Sequence, residues 1–124
     1  IRHGDILGFL NGGAGQRMKA AARADALWRE QPFVLGVDAR EMYPEEQEGE
    51  LILVQGIIDA YFEEADGLVV LDYKTDQIYT PEGLIERYHS QLDYYAKALE
   101  QLTQKKVKEK IIYSFTIKKE IRLP

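Results

Sequence analysis

Residues 57–76 read IIDAYFEEADGLVVLDYKTD. Two apolar runs flank Glu64-Ala65-Asp66-Gly67, and an Asp-Gly pair between such runs is a strong signal for a tight hairpin. The second run, Leu68-Val69-Val70-Leu71, is apolar at every position and reads as a core strand. It then finishes in Asp72-Tyr73-Lys74-Thr75-Asp76. A core strand that ends in charges has either emerged into solvent or delivered an acid and a base to one chosen place.

The hairpin register bears on that choice. With Asp66-Gly67 at the centre of the turn, Asp59 lies opposite Lys74 and Tyr61 opposite Asp72. Facing residues, and residues two apart on one strand, share a face. Asp59, Asp72 and Lys74 are then expected on one side and Tyr73 on the other. The diagonal Asp59–Asp72 pair has a β-carbon separation of about 7–8 Å or somewhat less. Two carboxylates at that range can converge on one Mg²⁺, which takes oxygen ligands at about 2.0–2.1 Å. A slip of one residue would put the acids on opposite faces.

Both acids follow apolar runs, Gln55-Gly56-Ile57-Ile58 and Val69-Val70-Leu71. Carboxylates close together in a partly desolvated place repel, and an unpaired buried charge costs on the order of several kcal/mol. Lys74 offsets one charge; a divalent cation offsets both. The plainer alternative is a cross-strand Asp59–Lys74 ion pair, worth about 0.2–1 kcal/mol if exposed. Spacing alone leaves both readings standing.

Working outward, residues 16–28 are rich in alanine, arginine and leucine and predict a helix, preceded by a short apolar piece at 6–10 and broken by Asn11-Gly12-Gly13. Pro32 is expected to end this helical region. Residues 33–37 predict a first strand continuing toward Met42, and 44–50 a polar, acidic loop. Residues 51–64 and 68–74 are the second and third strands. Thr80-Pro81 predicts a helix start, with Thr80 as N-cap and Pro81 in the first turn. Leu84, Tyr88, Gln91, Tyr95, Ala98 and Leu102 then recur at helical spacing as one stripe. Residues 111–117 close the pattern as a last strand. The expected order is helix, three strands, helix, strand, without an internal repeat.

Gln91 stands in that stripe where leucine would be the easy choice, with Tyr95 one turn on. A buried amide needs partners, and the end of the central hairpin is a natural source. Taken alone, the pair also reads as a helix-rim amide beside a core tyrosine.

Composition narrows the classes. The 124 residues are 45% hydrophobic and 30% charged, which fits one globular domain with a core of its own. No apolar run approaches the ~20 residues that span a bilayer, and no signal-peptide pattern opens the chain. Without cysteine, disulfides and thiolate metal sites are excluded. His3 and His89 are too few and too distant for a typical zinc site. The net charge of −5 argues against capture of nucleic acid by bulk electrostatics, though a bound cation would supply local positive charge. Lys105, Lys106, Lys108, Lys110, Lys118, Lys119 and Arg122 crowd the C-terminal fifth and read as a solvated face. The chain begins at Ile1 without a methionine, which suggests a piece of a longer protein.

Gly56-Ile57-Ile58-Asp59, then Leu71-Asp72-Tyr73-Lys74-Thr75-Asp76, then Gln91-x-x-x-Tyr95, resemble the successive motifs of the RecB-type nucleases within the PD-(D/E)XK superfamily. The wording is closest to the nuclease domains of the AddA subfamily of bacterial helicase–nucleases. Arg29-Glu30-Gln31-Pro32-Phe33 is similar to that subfamily too, and the likeness runs from about Gln16 to the end. Each motif is weak by itself; the ordered set is specific.

The resemblance implies an α/β (α+β) restriction-endonuclease-like core, a central mixed sheet with an antiparallel hairpin flanked by helices. It implies that residues 1–124 are a single nuclease domain, a fragment of a larger helicase–nuclease chain. Asp59 and Asp72 would ligate Mg²⁺ (Mn²⁺ as the alternative), with the Tyr73 carbonyl a further ligand. Lys74 would orient or deprotonate the attacking water, and Gln91 and Tyr95 would position the site or the DNA backbone. Asp76 is expected in a structural role such as capping, and Glu30 either behind the site or in a surface salt bridge. The implied setting is the bacterial cytoplasm, with DNA fed as a single strand by a helicase motor, a second, AddB-like partner chain, and a task in double-strand-break repair and recombination.

One feature departs from the pattern. The family usually carries an upstream histidine in a Gly-Thr-x-x-His helix, and His3 in Arg2-His3-Gly4-Asp5 lacks that context. His89 has no counterpart and reads as helix surface. Two competing functions remain: an idle nuclease fold used for protein interaction, and a Cas4-like or phage exonuclease of the same superfamily. The first tends to lose the acid or lysine, all of which are present here; iron–sulfur forms of the second need cysteines.

Overall fold

A computed structural model describes residues 3–43, 45 and 49–124, with the side chains of His3 and Met42 left aside. The acidic loop expected at 44–50 falls largely outside the described residues. Helices α1 (His3–Asn11) and α2 (Gly13–Arg23) lead into strand β1 (Leu27–Asp38) and a short helix α3 (Ala39–Met42). Strands β2 (Leu51–Glu64) and β3 (Gly67–Lys74) form the hairpin, α4 (Pro81–Thr103) crosses over, and β4 (Val107–Ser114) and β5 (Lys119–Leu123) finish the chain. The five strands lie in sequence order in one sheet. Pairing is antiparallel except between β3 and β4, which the α4 crossover makes parallel. This is the mixed, helix-flanked sheet that the motifs imply.

Leu68, Val69, Val70 and Leu71 are all buried because β3 is covered on both faces. Val69 and Leu71 pack with Phe9, Met18 and Phe62 beneath α1 and α2. Leu68 and Val70 pack with Leu92, Tyr95 and Leu99 of α4. Thr80 caps α4 by accepting the Gly83 N–H at 3.0 Å, with Pro81 behind it, as the sequence predicts. The buried stripe of α4 differs from the expected one: Leu92 and Leu99 face the sheet, while Leu102 is 59% exposed.

The first third of the chain also departs from expectation. The second helix stops at Arg23, and residues 27–32 join β1. Pairing of Leu27 with Phe62 and stacking of Trp28 on Tyr61 (5.0 Å between ring centres) outweigh helix propensity there. Pro32 sits inside the strand because β1 is an edge, where a missing N–H removes no necessary bond. The strand ends at Asp38, which caps α3, rather than continuing toward Met42. At the other end, β4 stops at Ser114, and a turn sends back β5, a strand the sequence pattern does not predict.

Long-range polar contacts fix the helical layer. The Arg17 guanidinium forks to Glu64 on β2 (2.6 and 3.0 Å) and Glu109 on β4 (both 3.0 Å), tying α2 to the sheet. The N-terminus of α2 has no side-chain cap of its own; Glu120 on β5 accepts the Ala14 N–H instead. The C-terminal basic cluster is largely neutralised in the same way: Lys105 pairs with Glu63, Lys108 with Glu64 and Asp66, Lys118 with Asp5, and Arg122 with Glu109.

The hairpin turn is Ala65-Asp66, not Asp66-Gly67. Glu64 pairs with Gly67 and Tyr61 with Val70, so the register is offset by two residues from the expected one. Gly67 opens β3 with φ +150°, and a β-carbon there would stand 2.9 Å from the Lys106 carbonyl. That carbonyl accepts the N–H of Leu68 at 2.8 Å. The glycine therefore serves close passage of the chain leaving α4 rather than the centre of the turn. Asp72 and Lys74, two apart on β3, share a face whatever the hairpin register.

Candidate active site

Asp72 follows Leu68 and Val70 on the α4 side of β3, and it is only 3% exposed. Beyond the last regular pair, Ala60 with Leu71, the hairpin register sets Asp59 across from Asp72, where Lys74 had been expected to face it. Asp59 does not continue the alternation of β2. Ile58 and Tyr61 both pack on the α4 side, while Ala60 and Phe62 pack on the α1–α2 side. The strand turns over at Asp59, so the expectation of three charged groups on one regular face fails in detail. The carboxylate reaches sideways along the sheet instead, and its Oδ2 accepts the backbone N–H of Tyr73 at 2.8 Å. This still brings it against Asp72.

Burial pushes the Asp72 carboxyl up to about 7, and the Asp59 carboxylate adds to the rise, while Lys74 opposes it. Lys74 Nζ is 2.8 Å from Asp72 Oδ2, an ion-pair distance, and it also donates to Gln91 Oε1 at 2.8 Å. Asp72 Oδ2 is buried, with the Lys74 ammonium as its charge partner and no well-angled hydrogen bond to it among the described residues. Such an oxygen is expensive in an apolar setting and is suited to a hard cation. Among the described residues no three His, Cys, Asp or Glu side chains converge as a closed cage. Two adjacent carboxylates, one of them buried, fit an ion such as Mg²⁺, which keeps water or substrate at its other positions.

The structure brings together Asp59, Asp72, Lys74 and Gln91. Tyr73 turns its ring to the other face, edge-on to Phe9 at 5.3 Å, and only its backbone belongs to the site. Tyr95 lies in the core against Phe33, and its hydroxyl is held up at about 12 by burial and then by the charges of Asp72 and Asp59. No hydrogen bond links Tyr95 to the four polar groups among the described contacts. His89 is exposed on α4, as expected. Asp76 caps no helix; its carboxylate accepts the Tyr88 hydroxyl, and its carbonyl accepts the Thr116 hydroxyl at 2.6 Å.

Tyr88 is a participant that the motifs do not single out. Lys74 Nζ lies 3.9 Å from the centre of its ring, a cation–π contact that closes a further side of the ammonium's surroundings. Its spacing one turn before Gln91 is the available signal. Lys74 is accordingly held by Asp72, Gln91 and Tyr88 together.

The sequence matches the model of the PD-(D/E)XK nuclease superfamily over residues 9–122. It is 50% identical over 117 residues to the A subunit of the ATP-dependent helicase/nuclease of Thermoanaerobacter sp. (strain X514), covering 89% of this chain and 9% of that one. The same-named proteins of Lachnoclostridium phytofermentans and Clostridium novyi are 43% and 45% identical, over 87% and 95% of this chain and 10% of each relative. The chain therefore spans about a tenth of the length of these curated relatives. An acid pair, a lysine two residues after the second acid and a glutamine on the following helix, set on a mixed sheet, agree with that match: the chain belongs to the PD-(D/E)XK nuclease superfamily.

Proposed function

We propose that this domain hydrolyses DNA phosphodiester bonds with a divalent ion, Mg²⁺ in the first instance, held by Asp59, Asp72 and the Tyr73 carbonyl. The observation that carries the reading is the buried Asp72 carboxyl beside a second carboxylate and ion-paired to a lysine that Gln91 also holds. When bound, the ion would lower the pKa of a water and polarise the phosphate. A cation there would favour the ionised form of Asp72, which burial and then the neighbouring Asp59 now oppose. Lys74 places its positive charge next to the acids, where negative charge grows on the phosphate oxygens. Gln91 and Tyr88 hold the other sides of the Lys74 ammonium. Tyr95 supports the α4 face behind them.

The names of the relatives extend the proposal. A helicase motor elsewhere in a longer chain would deliver a single DNA strand to this site as an exonuclease substrate, in the cytoplasm, alongside an AddB-like partner, during double-strand-break processing. Tethered delivery explains how a domain of net charge −5 handles a polyanion: effective concentration replaces electrostatic capture. The test is cleavage of end-labelled single-stranded DNA in Mg²⁺, Mn²⁺ and EDTA by the wild type, Asp72→Ala and Lys74→Ala proteins. Metal-dependent cutting lost in both variants is the expected result. Cutting that survives both substitutions and the chelator would remove the proposal.

A further inference from the structure

Strands β1 and β2 turn over at the same rung. On β2, Ile58 packs on the α4 side and Ala60 on the α1–α2 side. On β1, Phe33, Leu35 and Val37 pack on the α4 side, yet Leu27, which regular alternation would put with them, packs under α1 and α2. The pairing offset between the strands is the same before and after, so no residue is inserted in either. The register sets Glu30 across from Asp59, and this is the rung at which the regular pairs are interrupted. Arg29 and Glu30, consecutive on β1, line one cleft together with Asp59, which a flat strand does not allow.

Glu30 has φ +51°. The other non-glycine residues with positive φ among the described ones are Asp25, Gln104 and Lys118, and these lie in turns or at a helix end. Glu30 alone has it inside a strand. Left-handed backbone is uncommon outside glycine and is strongly disfavoured for β-branched side chains. Irregularities of this kind in strands re-aim neighbouring side chains.

We infer that Glu30 is a positioning residue for Asp59, acting through its left-handed backbone and not through its carboxylate. The local reversal of β1 carries β2 with it, and β2 parts from β3 just after the Ala60–Leu71 pair. Asp59 is thereby swung out of the alternating row and into the sheet plane, where it takes the Tyr73 N–H and meets Asp72. With β1 regular, Asp59 would stand off the sheet on one face, out of reach of that N–H. The inference rests on the proposed metal site for its purpose, but its geometry is testable without metal or DNA.

The experiment compares Glu30→Gln, Glu30→Gly and Glu30→Val in the metal-free domain. Hydrogen exchange and chemical shift of the Tyr73 amide report Asp59 directly, and calorimetric titration with Mg²⁺ gives the affinity. Glu30→Gln is expected to leave all three readouts unchanged. Glu30→Gly is expected to keep the amide protected and to raise the melting temperature, since glycine takes the conformation without strain. Glu30→Val is expected to speed Tyr73 exchange at least tenfold and to weaken Mg²⁺ at least tenfold. If Glu30→Val does not fold, the glycine variant decides: loss of Tyr73 protection or a lower melting temperature there would overturn the inference. So would wild-type behaviour of Glu30→Val, or a Glu30→Gln variant as impaired as the valine one. Failure of Mg²⁺ to bind wild type would count against the metal site while leaving the amide readout to judge Glu30.

Discussion

The Lys74 ammonium donates to the side-chain carbonyl of Gln91 at 2.8 Å, joining the end of the central strand to the middle of α4. Without that acceptor the ammonium keeps only Asp72 and the ring of Tyr88 as partners and is less firmly oriented. Gln91→Leu keeps the volume and removes the acceptor. It is expected to slow DNA cleavage by about 10–100-fold, the usual cost of losing a group that orients a functional one. Unfolding free energy should change by no more than about 1.5 kcal/mol. A cleavage rate equal to wild type would show that Lys74 is placed by other means.

Lys74→Met removes the charge and keeps much of the stem. The expected loss is about 10²–10³ in turnover, comparable to deletion of a preorganised group facing developing charge. Because Lys74 opposes the upward push on Asp72, the variant's Asp72 carboxyl should titrate higher than in wild type. A carboxyl-detected NMR titration of the metal-free proteins measures this; an unchanged or lower value would contradict the placement.

Stability of the metal-free domain should fall as pH rises from about 4 to 7. The Asp72 carboxyl ionises near 3.8 in an ordinary setting and is held up to about 7 in the fold. Between those values the folded state keeps a proton that the unfolded chain has lost, so raising the pH favours unfolding. The effect is on the order of a few kcal/mol and vanishes in Asp72→Asn. Glu64 acts with the opposite sign and lower down: Arg17 holds it at about 2, so its contribution is complete above its ordinary 4.5 and is lost as pH falls toward 2. Saturating Mg²⁺ should cancel the Asp72 slope by favouring its ionised form, adding about 2.7 kcal/mol at one hundred times its dissociation constant. Denaturant melts at several pH values, with and without Mg²⁺, give all of these.

Gly67→Ala combines an unfavourable φ with a β-carbon 2.9 Å from a backbone oxygen. Destabilisation by more than about 1 kcal/mol is expected, because neither strand can yield without breaking the Leu68–Lys106 bond. Thermal unfolding measures it. A variant as stable as wild type would mean that the chain leaving α4 has room to shift.

Residue chemistry is enough to find the hairpin, the capped start of α4 and the membership of Asp72, Lys74 and Gln91 in one polar cluster. Those features are local or periodic: an Asp-Gly signal near a turn, a Thr-Pro cap, a two-residue repeat in a strand. Asp72 and Lys74 lie two apart on one strand, so the register offset does not change that they share a face. The start of β1 escapes such reading because Leu27 and Trp28 owe their strand conformation to Phe62 and Tyr61, far away in the chain. Strand β5 escapes it because a short run holding Lys119, Glu120 and Arg122 has no apolar pattern of its own; it is a strand by pairing with β4.

What the amino-acid order determined by itself is the inventory: which groups could do the chemistry, and on which elements they ride. What only three-dimensional packing decided is how Asp59 arrives. No spacing rule foretells that two strands will roll over together opposite a left-handed glutamate, and that rolling sends the carboxylate along the sheet to Tyr73. Side-chain alternation is a property of one strand, whereas the aim of Asp59 is settled among β1, β2 and β3 at once, which a linear pattern does not encode.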